Sequence, residues 1–247
     1  MTSILALETA TEACSATLLV KQSDTEITLY RRFQLAPREH TKLILPMLDE
    51  VLAEAKLSIK DVDAIAFGRG PGAFTGLRIA AGIAQGLALS VDKPTIPVSS
   101  LTAMALAAKQ EIVTKESDSD FSVLVAIDAR MCEVYWAEYM VQEGVLEIVG
   151  EEQLSTPSIL FDKAKSNKQS TILVGSGWDE YLDGFKQENL ELDFETNITF
   201  IPNKFPDAQA ISELALAMFE KGDLQSIEDA QPVYLRNNVA KKSTKSI

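Results

Sequence analysis

Ala66-Phe67-Gly68-Arg69-Gly70-Pro71-Gly72-Ala73-Phe74-Thr75-Gly76-Leu77-Arg78, with the run Ile79 to Leu89 behind it, decides the reading of this chain. A short apolar strand ends in glycines, and a helix of mostly small or apolar residues begins. Without a Cβ in the way, glycines after a strand let backbone groups approach a neighbour closely. The helix is apolar around most of its circumference, so it cannot lie with one face in water; burial on two sides is expected. One side belongs to the chain's own core. The other is expected to meet a partner.

Working outward, residues 4–8, 13–20 and 26–33 read as three consecutive strands joined by polar turns. A helix over 38–56 follows, with Leu43, Ile44, Met47, Leu48, Val51 and Leu52 at helical spacing and Pro46 as an expected kink. Then come a strand at 64–68, a helix at 74–90, a strand at 95–98, a helix at 101–109 and a polar linker at 114–120. After the linker the plan restarts. Val123-Leu124-Val125-Ala126-Ile127-Asp128 mirrors Ile4-Leu5-Ala6-Leu7-Glu8 as an apolar strand closed by a carboxylate, and a second strand (133–141) follows a short turn. Val174-Gly175-Ser176-Gly177 then mirrors Phe67-Gly68-Arg69-Gly70. Helices are expected at 155–165 and 207–221, the latter capped by Asp207, with a strand at 171–175 between them. Residues 190–200 are ambiguous, and 232–236 read as a short extended piece. The expectation is a duplicated α/β fold: two lobes, 1–112 and 113–247, each a mixed sheet flanked by helices around a cleft. The 207–221 helix is expected to pack back on the first lobe.

The 247 residues, 46% apolar, give ample core, and no stretch of about 18 uncharged apolar residues suggests a membrane span. Met1-Thr2-Ser3-Ile4 enters a strand pattern directly, so no secretory signal is expected. Cys14 and Cys132 fall in predicted strands without metal spacing and read as reduced thiols of a cytoplasmic protein. A formal charge of −13 repels phosphate backbones and argues against a direct grip on nucleic acid, although the tail from Arg236 through Lys241, Lys242 and Lys245 is locally basic.

Catalytic patterns are mostly absent or damaged. Gly68-x-Gly70-x-x-Ala73 formally meets a dinucleotide fingerprint, with Asp92 near the distance of a ribose contact. The motif follows the fourth strand, however, and Pro71 removes an amide, so a tight turn with close helix packing is the preferred reading. No Gly-Lys-Ser/Thr is present for a phosphate loop, and no Gly-x-Ser-x-Gly elbow for a hydrolase. Glu8, Thr9 and Thr11 in one hairpin turn, and Asp128 and Arg130 in the other, would face each other across the cleft as a vestigial nucleotide site. Arg130 and Met131 stand where a phosphate would need bare backbone. The single histidine, His40, cannot build a metal site and starts a helix, where a surface or interface role is expected. Neither a metal nor a catalytic residue is expected.

Glu8-Thr9-Ala10-Thr11-Glu12-Ala13-Cys14-Ser15, Pro37-Arg38-Glu39-His40-Thr41, the glycine block 68–78, Ile127-Asp128-Ala129-Arg130 and Pro232-Val233-Tyr234-Leu235-Arg236 together resemble the bacterial TsaB (YeaZ) family of tRNA threonylcarbamoyladenosine biosynthesis proteins. The resemblance runs along essentially the whole chain, and residues 143–207 carry least of it. It implies an actin-like, Hsp70-like duplicated fold. It also implies a role in attaching threonylcarbamoyl to the adenosine beside the anticodon in tRNAs reading codons that begin with A. In this family the chain is a non-catalytic relative of the TsaD transferase subunit, with which it pairs; the ATPase TsaE completes the assembly, and the isolated protein forms homodimers through its N-terminal helices. The transferase carries metal-binding histidines where Ser100 and Met104 stand here, and neither replacement is a good ligand for a hard divalent metal.

The resulting expectation is a scaffold subunit whose partner interface centres on His40, Leu43, Met47, Phe74, Leu77, Ala80, Ile83, Ala84 and Leu87. Tight cofactor binding is not expected; weak nucleotide binding at the partner interface stays open, and tRNA is met only through the complex. A large charged residue at Gly82 or Ala84 is expected to abolish partner binding without unfolding the monomer. The alternatives are a weak nucleotide hydrolase of the same fold, a metallopeptidase-like glycoprotease, and a free-standing homodimer with an unrelated regulatory partner.

Overall fold

The computed structural model describes residues 1–113, 120–167, 169–188 and 197–236. The polar linker, most of the ambiguous 190–200 stretch and the basic tail therefore lie largely or wholly outside the described residues. The first lobe contains β1 (Thr2–Glu8), β2 (Ala13–Ser23), β3 (Glu26–Leu35), α1 (His40–Ala55), β4 (Ala64–Gly70), α2 (Phe74–Val91), β5 (Thr95–Ser99) and α3 (Ser100–Val113). The second contains β6 (Phe121–Asp128), β7 (Val134–Gln142), β8 (Val145–Ser155), α4 (Pro157–Ser166), β9 (Thr171–Val174), α5 (Ser176–Glu188) and β10 (Ile198–Ile201), and α6 (Ala208–Lys221) follows it and packs on the first sheet.

Each sheet has five strands, ordered β3-β2-β1-β4-β5 in one and β8-β7-β6-β9-β10 in the other. The two orders superimpose element for element. In both, the first three strands meander antiparallel and the last two join parallel to the central strand. Parallel neighbours need a crossover, and a helix supplies each one in the first sheet. This is the duplicated, two-lobed α/β fold that the repeat of an apolar strand ending in a carboxylate predicts.

Strand periodicity assigns the faces. Leu5 and Leu7 of β1 look toward α1 and α2, where they join Ile44, Leu48, Val51, Ala80 and Ala84. Ile4 and Ala6 look the other way, onto Ala103 of α3 and Ile211 and Ala215 of α6. Helix α6, from the end of the chain, thus covers the first sheet. Its N-cap Asp207 accepts from the Gln209 amide, and the Ala208 amide donates to Ser15 Oγ of β2 at 2.9 Å. Helix α3 also faces the second sheet, placing Leu101, Met104 and Ala108 against Val123, Val125 and Tyr139. On the outer side of that sheet, α4 and α5 enclose Trp178, Phe161 and Phe185 with Leu124 and Ala126. Each fully buried Leu, Ile or Phe contributes roughly 1.5–3 kcal/mol.

Several expectations change. Cys132 does not lie in a strand but in the exposed turn before β7. The strand β8 and the helix α5 went unforeseen; α5 begins within residues read only as a glycine turn and runs on to Glu188. Helix α1 continues through Pro46 from His40 to Ala55. Helix α2, 18 residues, is long and apolar enough by length and composition alone to cross a bilayer, although it carries Arg78 and so is not an uncharged run. Its Leu77, Ala80, Ala81, Ala84 and Ala88 pack on the first sheet, as in the core helix of a globular domain.

Candidate functional site

The glycine block is a fitted seat for the first hairpin turn. A Cβ on Gly68 would stand 2.0 Å from Glu8 Oε2, one on Gly72 2.4 Å from the Ala10 carbonyl oxygen, and one on Gly76 2.0 Å from the Thr9 carbonyl oxygen. The missing Cβ atoms therefore let in the Glu8 carboxylate at Gly68 and the chain's own backbone at Gly72 and Gly76. Two hydrogen bonds fasten the contact: the Ala73 amide donates to the Ala10 carbonyl at 2.7 Å, and Thr9 Oγ1 donates to the Gly76 carbonyl at 2.8 Å. The turn that would wrap a phosphate instead holds the start of α2. This agrees with the tight-turn reading of the glycine fingerprint.

Glu8 lies beneath that contact, fully buried. Ser100 Oγ donates to it at 2.7 Å and the Ala10 amide at 2.6 Å. Burial raises its carboxyl above the ordinary glutamate value, against the Ser100 hydroxyl and the Ala10 and Thr9 amides, which favour the ionised form. The neighbouring Cys14 thiol is pushed up to about 11, by burial first and the Glu8 charge second, and is inert at neutral pH. Ser100 is therefore spent on a buried carboxyl, and Met104 fills the core so closely that a Cβ on Gly175 would come within 2.7 Å of its Cε. Among the described residues no three His, Cys, Asp or Glu groups converge as a metal site.

Between the lobes runs a cleft of about 850 Å³. Its walls include Thr11 and Glu12 from the first turn, Gly72 to Phe74 from the start of α2, Asp128 to Met131 from the second turn, and Val233 to Arg236 from the C-terminal segment. Of the vestigial-site residues, Thr11, Asp128 and Arg130 line it, whereas Glu8 and Thr9 are buried below and do not. The second turn is unusual. Arg130, Met131 and Cys132 take φ values of 62°, 61° and 59° in succession. Left-handed backbone costs a non-glycine residue roughly 1–2 kcal/mol. The turn sets the Arg130 and Met131 side chains, not bare amides, at the cleft. Arg130 reaches Glu12 across the gap at 3.1 Å and Asp128 of its own turn at 3.3 Å.

The outer face of α1 and α2 is the second feature. Phe74, Arg78, Gly82, Gly86 and Leu89 recur at helical spacing along α2, and all are exposed, Leu89 at 71%. Gly82 and Gly86 have nothing within 4 Å of a built Cβ, so backbone lies open there. Leu45 of α1 is also exposed, and Ile79, Ile83, Leu87 and Leu43 are half-buried along the edge.

The structure redistributes the expected interface set. Leu77, Ala80 and Ala84 belong to the chain's own core, with relative exposures of 1%, 0% and 0%. Met47 is buried too, and His40, expected near the surface, is buried with Nε2 donating to the Ala13 carbonyl at 3.1 Å. Phe74 is exposed, and Leu43, Ile83 and Leu87 sit at the rim. Sequence reasoning missed Leu45, Leu89 and Tyr234 as exposed neighbours of this face. The alternation of small and large residues in 82–89 was the available signal. The expectation that a charge at Ala84 leaves the monomer folded is corrected, because a buried alanine has no room for it.

The family model described as TsaD, tRNA N6-adenosine threonylcarbamoyltransferase, matches residues 30–243. The tRNA threonylcarbamoyladenosine biosynthesis protein TsaB of Escherichia coli K12 is 42% identical over 97% of this chain and 96% of its own. The protein of that name from Haemophilus influenzae is 42% identical over 97% and 95%. A solved structure, YeaZ from Pseudomonas aeruginosa, superimposes with a TM-score of 0.76 at 34% identity, covering 95% of this chain and 100% of that one. With agreement over nearly the full length of each, the chain belongs to the TsaD-type family that the model describes and, within it, to the TsaB tRNA threonylcarbamoyladenosine biosynthesis proteins.

Proposed function

We propose that this chain is a non-catalytic subunit in threonylcarbamoyladenosine formation on tRNA, acting by docking the transferase subunit TsaD through the outer face of α1 and α2. The observation that carries the reading is the uncovered stripe from Phe74 through Gly82 and Gly86 to Leu89. Apolar surface and bare helical backbone left in water favour a partner whose own helices pack closely. The choice of partner rests on the family match, since the transferase model itself covers residues 30–243 of this chain. A partner with the same helix pair can meet it in a pseudo-symmetric bundle, and in isolation a second copy takes that place as a homodimer.

Loss of chemistry supports the non-catalytic part. The first turn is filled by the start of α2, the second presents Arg130 and Met131, and Ser100 is committed to Glu8. A nucleotide, if it joins the assembly, then binds weakly at the boundary with the partner. The TsaE-type ATPase is the third component. A net charge of −13 leaves the tRNA to the other subunits, and the site of action is the cytoplasm.

Co-purification tests the reading. Gly82→Arg should lose the transferase subunit while its thermal midpoint stays within a few degrees of the parent. Retention of the transferase by folded Gly82→Arg protein would overturn it.

A further inference from the structure

The C-terminal segment Pro232–Arg236 is neither strand nor helix, yet Val233, Tyr234 and Arg236 are each fastened. The Val233 amide donates to the Arg69 carbonyl at 2.8 Å, at the end of β4. The Tyr234 ring lies 5.4 Å from the Phe74 ring, and Arg78 sits 3.9 Å above Phe74 while its Nε donates to Tyr234 Oη at 3.1 Å. Arg236 leaves the first lobe altogether. Its guanidinium meets Glu133 at 2.5 Å, donates to the Arg130 carbonyl at 3.3 Å, and lies 6.0 Å from the centre of the Tyr135 ring. Its side chain is 17% exposed and that of Glu133 36%, so this ion pair is shielded mainly at its cationic end.

These five residues therefore bridge the cleft. At one end they hold the first turn of α2, where the exposed stripe begins. At the other they hold the left-handed turn of the second lobe, since Arg130 is one of its strained residues and Glu133 closes it through its amide to the Arg130 carbonyl at 3.2 Å. The first lobe's turn meets the same residues from the opposite wall, through the Glu12–Arg130 pair.

We infer that Pro232–Arg236 is a latch across the cleft that couples the second-lobe turn to the first turn of α2, so that a partner seated on α2 senses the arrangement of the two lobes. The role of the partner rests on the docking reading above; the coupling itself does not. The Arg236 guanidinium adds to the turn's own bonds, the Ala129 amide to the Glu133 carbonyl and the Arg130 amide to Asp128, so the latch has two arrangements, seated and released, and release frees Tyr234 from Phe74 at the other end of a five-residue tether.

Amide hydrogen exchange on the full chain, without any partner, decides the coupling. Arg236→Glu should speed exchange about tenfold or more at Ala129 and Glu133 in the turn, at Val233 in the latch, and at Leu77, whose amide bonds Ala73 in the first turn of α2. Adding Glu133→Arg to Arg236→Glu should restore protection at all four by rebuilding the pair with reversed charges. Acceleration at Ala129 and Glu133 with Leu77 unchanged would overturn the latch. So would a double variant that stays as fast as the single one. Transferase binding then separates the two claims. The latch predicts roughly tenfold weaker binding for Arg236→Glu, recovered in the reversed pair. A binding loss in Gly82→Arg with none in Arg236→Glu would overturn the latch and keep the docking face, while unchanged binding in Gly82→Arg would overturn the docking face alone.

Discussion

Thr9 and Gly76 lie 67 positions apart and grip each other twice: the Thr9 side-chain Oγ1 donates to the Gly76 carbonyl at 2.8 Å, and the Thr9 carbonyl oxygen occupies the place of a Gly76 Cβ, 2.0 Å away. One contact explains two parts of the sequence. It says why a glycine interrupts the first turn of an otherwise apolar helix. It also says why the first hairpin turn is not free to receive an anion.

That contact predicts opposite effects for one substitution at two sites in α2. Gly76→Ala must push its methyl into a backbone carbonyl, which cannot move like a side chain, and should cost about 1–3 kcal/mol or more. Gly82→Ala meets nothing within 4 Å and gains helix propensity, so it should stabilise by up to about 1 kcal/mol. Urea unfolding of the two variants, read as a shift of midpoint at constant slope, checks both signs.

How much of this was legible in the sequence depends on what kind of signal each element left. The duplication was legible because Ile4 to Glu8 and Val123 to Asp128 are central strands buried on both faces, which read as unbroken apolar runs closed by a carboxylate. Strand β8 was not, because it is an edge strand with exposed Val145, Ile148 and Val149 among glutamates and no clean alternation. Helix α5 hid behind Gly175 and Gly177, whose closeness to Ala126 gives them a packing role rather than a chain-ending one. Helix α2 was legible as an element but its exposed face was not. A helix apolar all round does not say which side meets its own sheet, so Leu77, Ala80 and Ala84 were expected outside and lie inside. His40 misled for a related reason: a polar side chain at a helix start reads as exposed until β2 offers it the Ala13 carbonyl.

Glu8 should make the protein less stable as pH rises through its folded-state value. Burial raises its carboxyl above the unfolded value, so the folded chain holds that proton more tightly than the unfolded chain does. The stabilising contribution is complete below the ordinary glutamate value and lost as the pH climbs past the raised one. Glu8→Gln keeps an acceptor for the Ala10 amide and carries no charge. It should flatten this dependence, gaining stability over the parent at pH 8 and little at pH 4. Thermal midpoints of both proteins across that range test it, and parallel curves would contradict the assignment.

Arg69 and Glu152 join the lobes behind the cleft. The guanidinium spans both carboxylate oxygens at 3.2 Å each, and Ser99 Oγ donates to the same carboxylate. With side chains 27% and 10% exposed, the pair is partly shielded and its geometry is forked. Glu152→Ala should cost about 1.5–3 kcal/mol, the range for hydrogen bonds to charged groups. A double-mutant cycle with Arg69→Ala should return a coupling energy above the roughly 0.2–1 kcal/mol of an exposed pair.

The inner and outer faces of α2 separate folding from association at neighbouring residues. Ala84 is fully buried, so Ala84→Arg drives an unpaired charge into the core and should leave little folded protein. Gly82 opens to solvent, so Gly82→Arg should fold and give a normal circular dichroism spectrum. On the docking reading, that arginine also stands where a second copy would bring its helix, and it should shift the isolated chain from dimer to monomer in sedimentation velocity. Gly82→Ala adds one methyl to the same open spot and serves as the control, retaining association at a threshold concentration within a few-fold of the parent. Because the two helix faces are one residue pair apart, folded Ala84→Arg protein would reverse the assignment of inside and outside, and dimeric Gly82→Arg would move the contact away from α2.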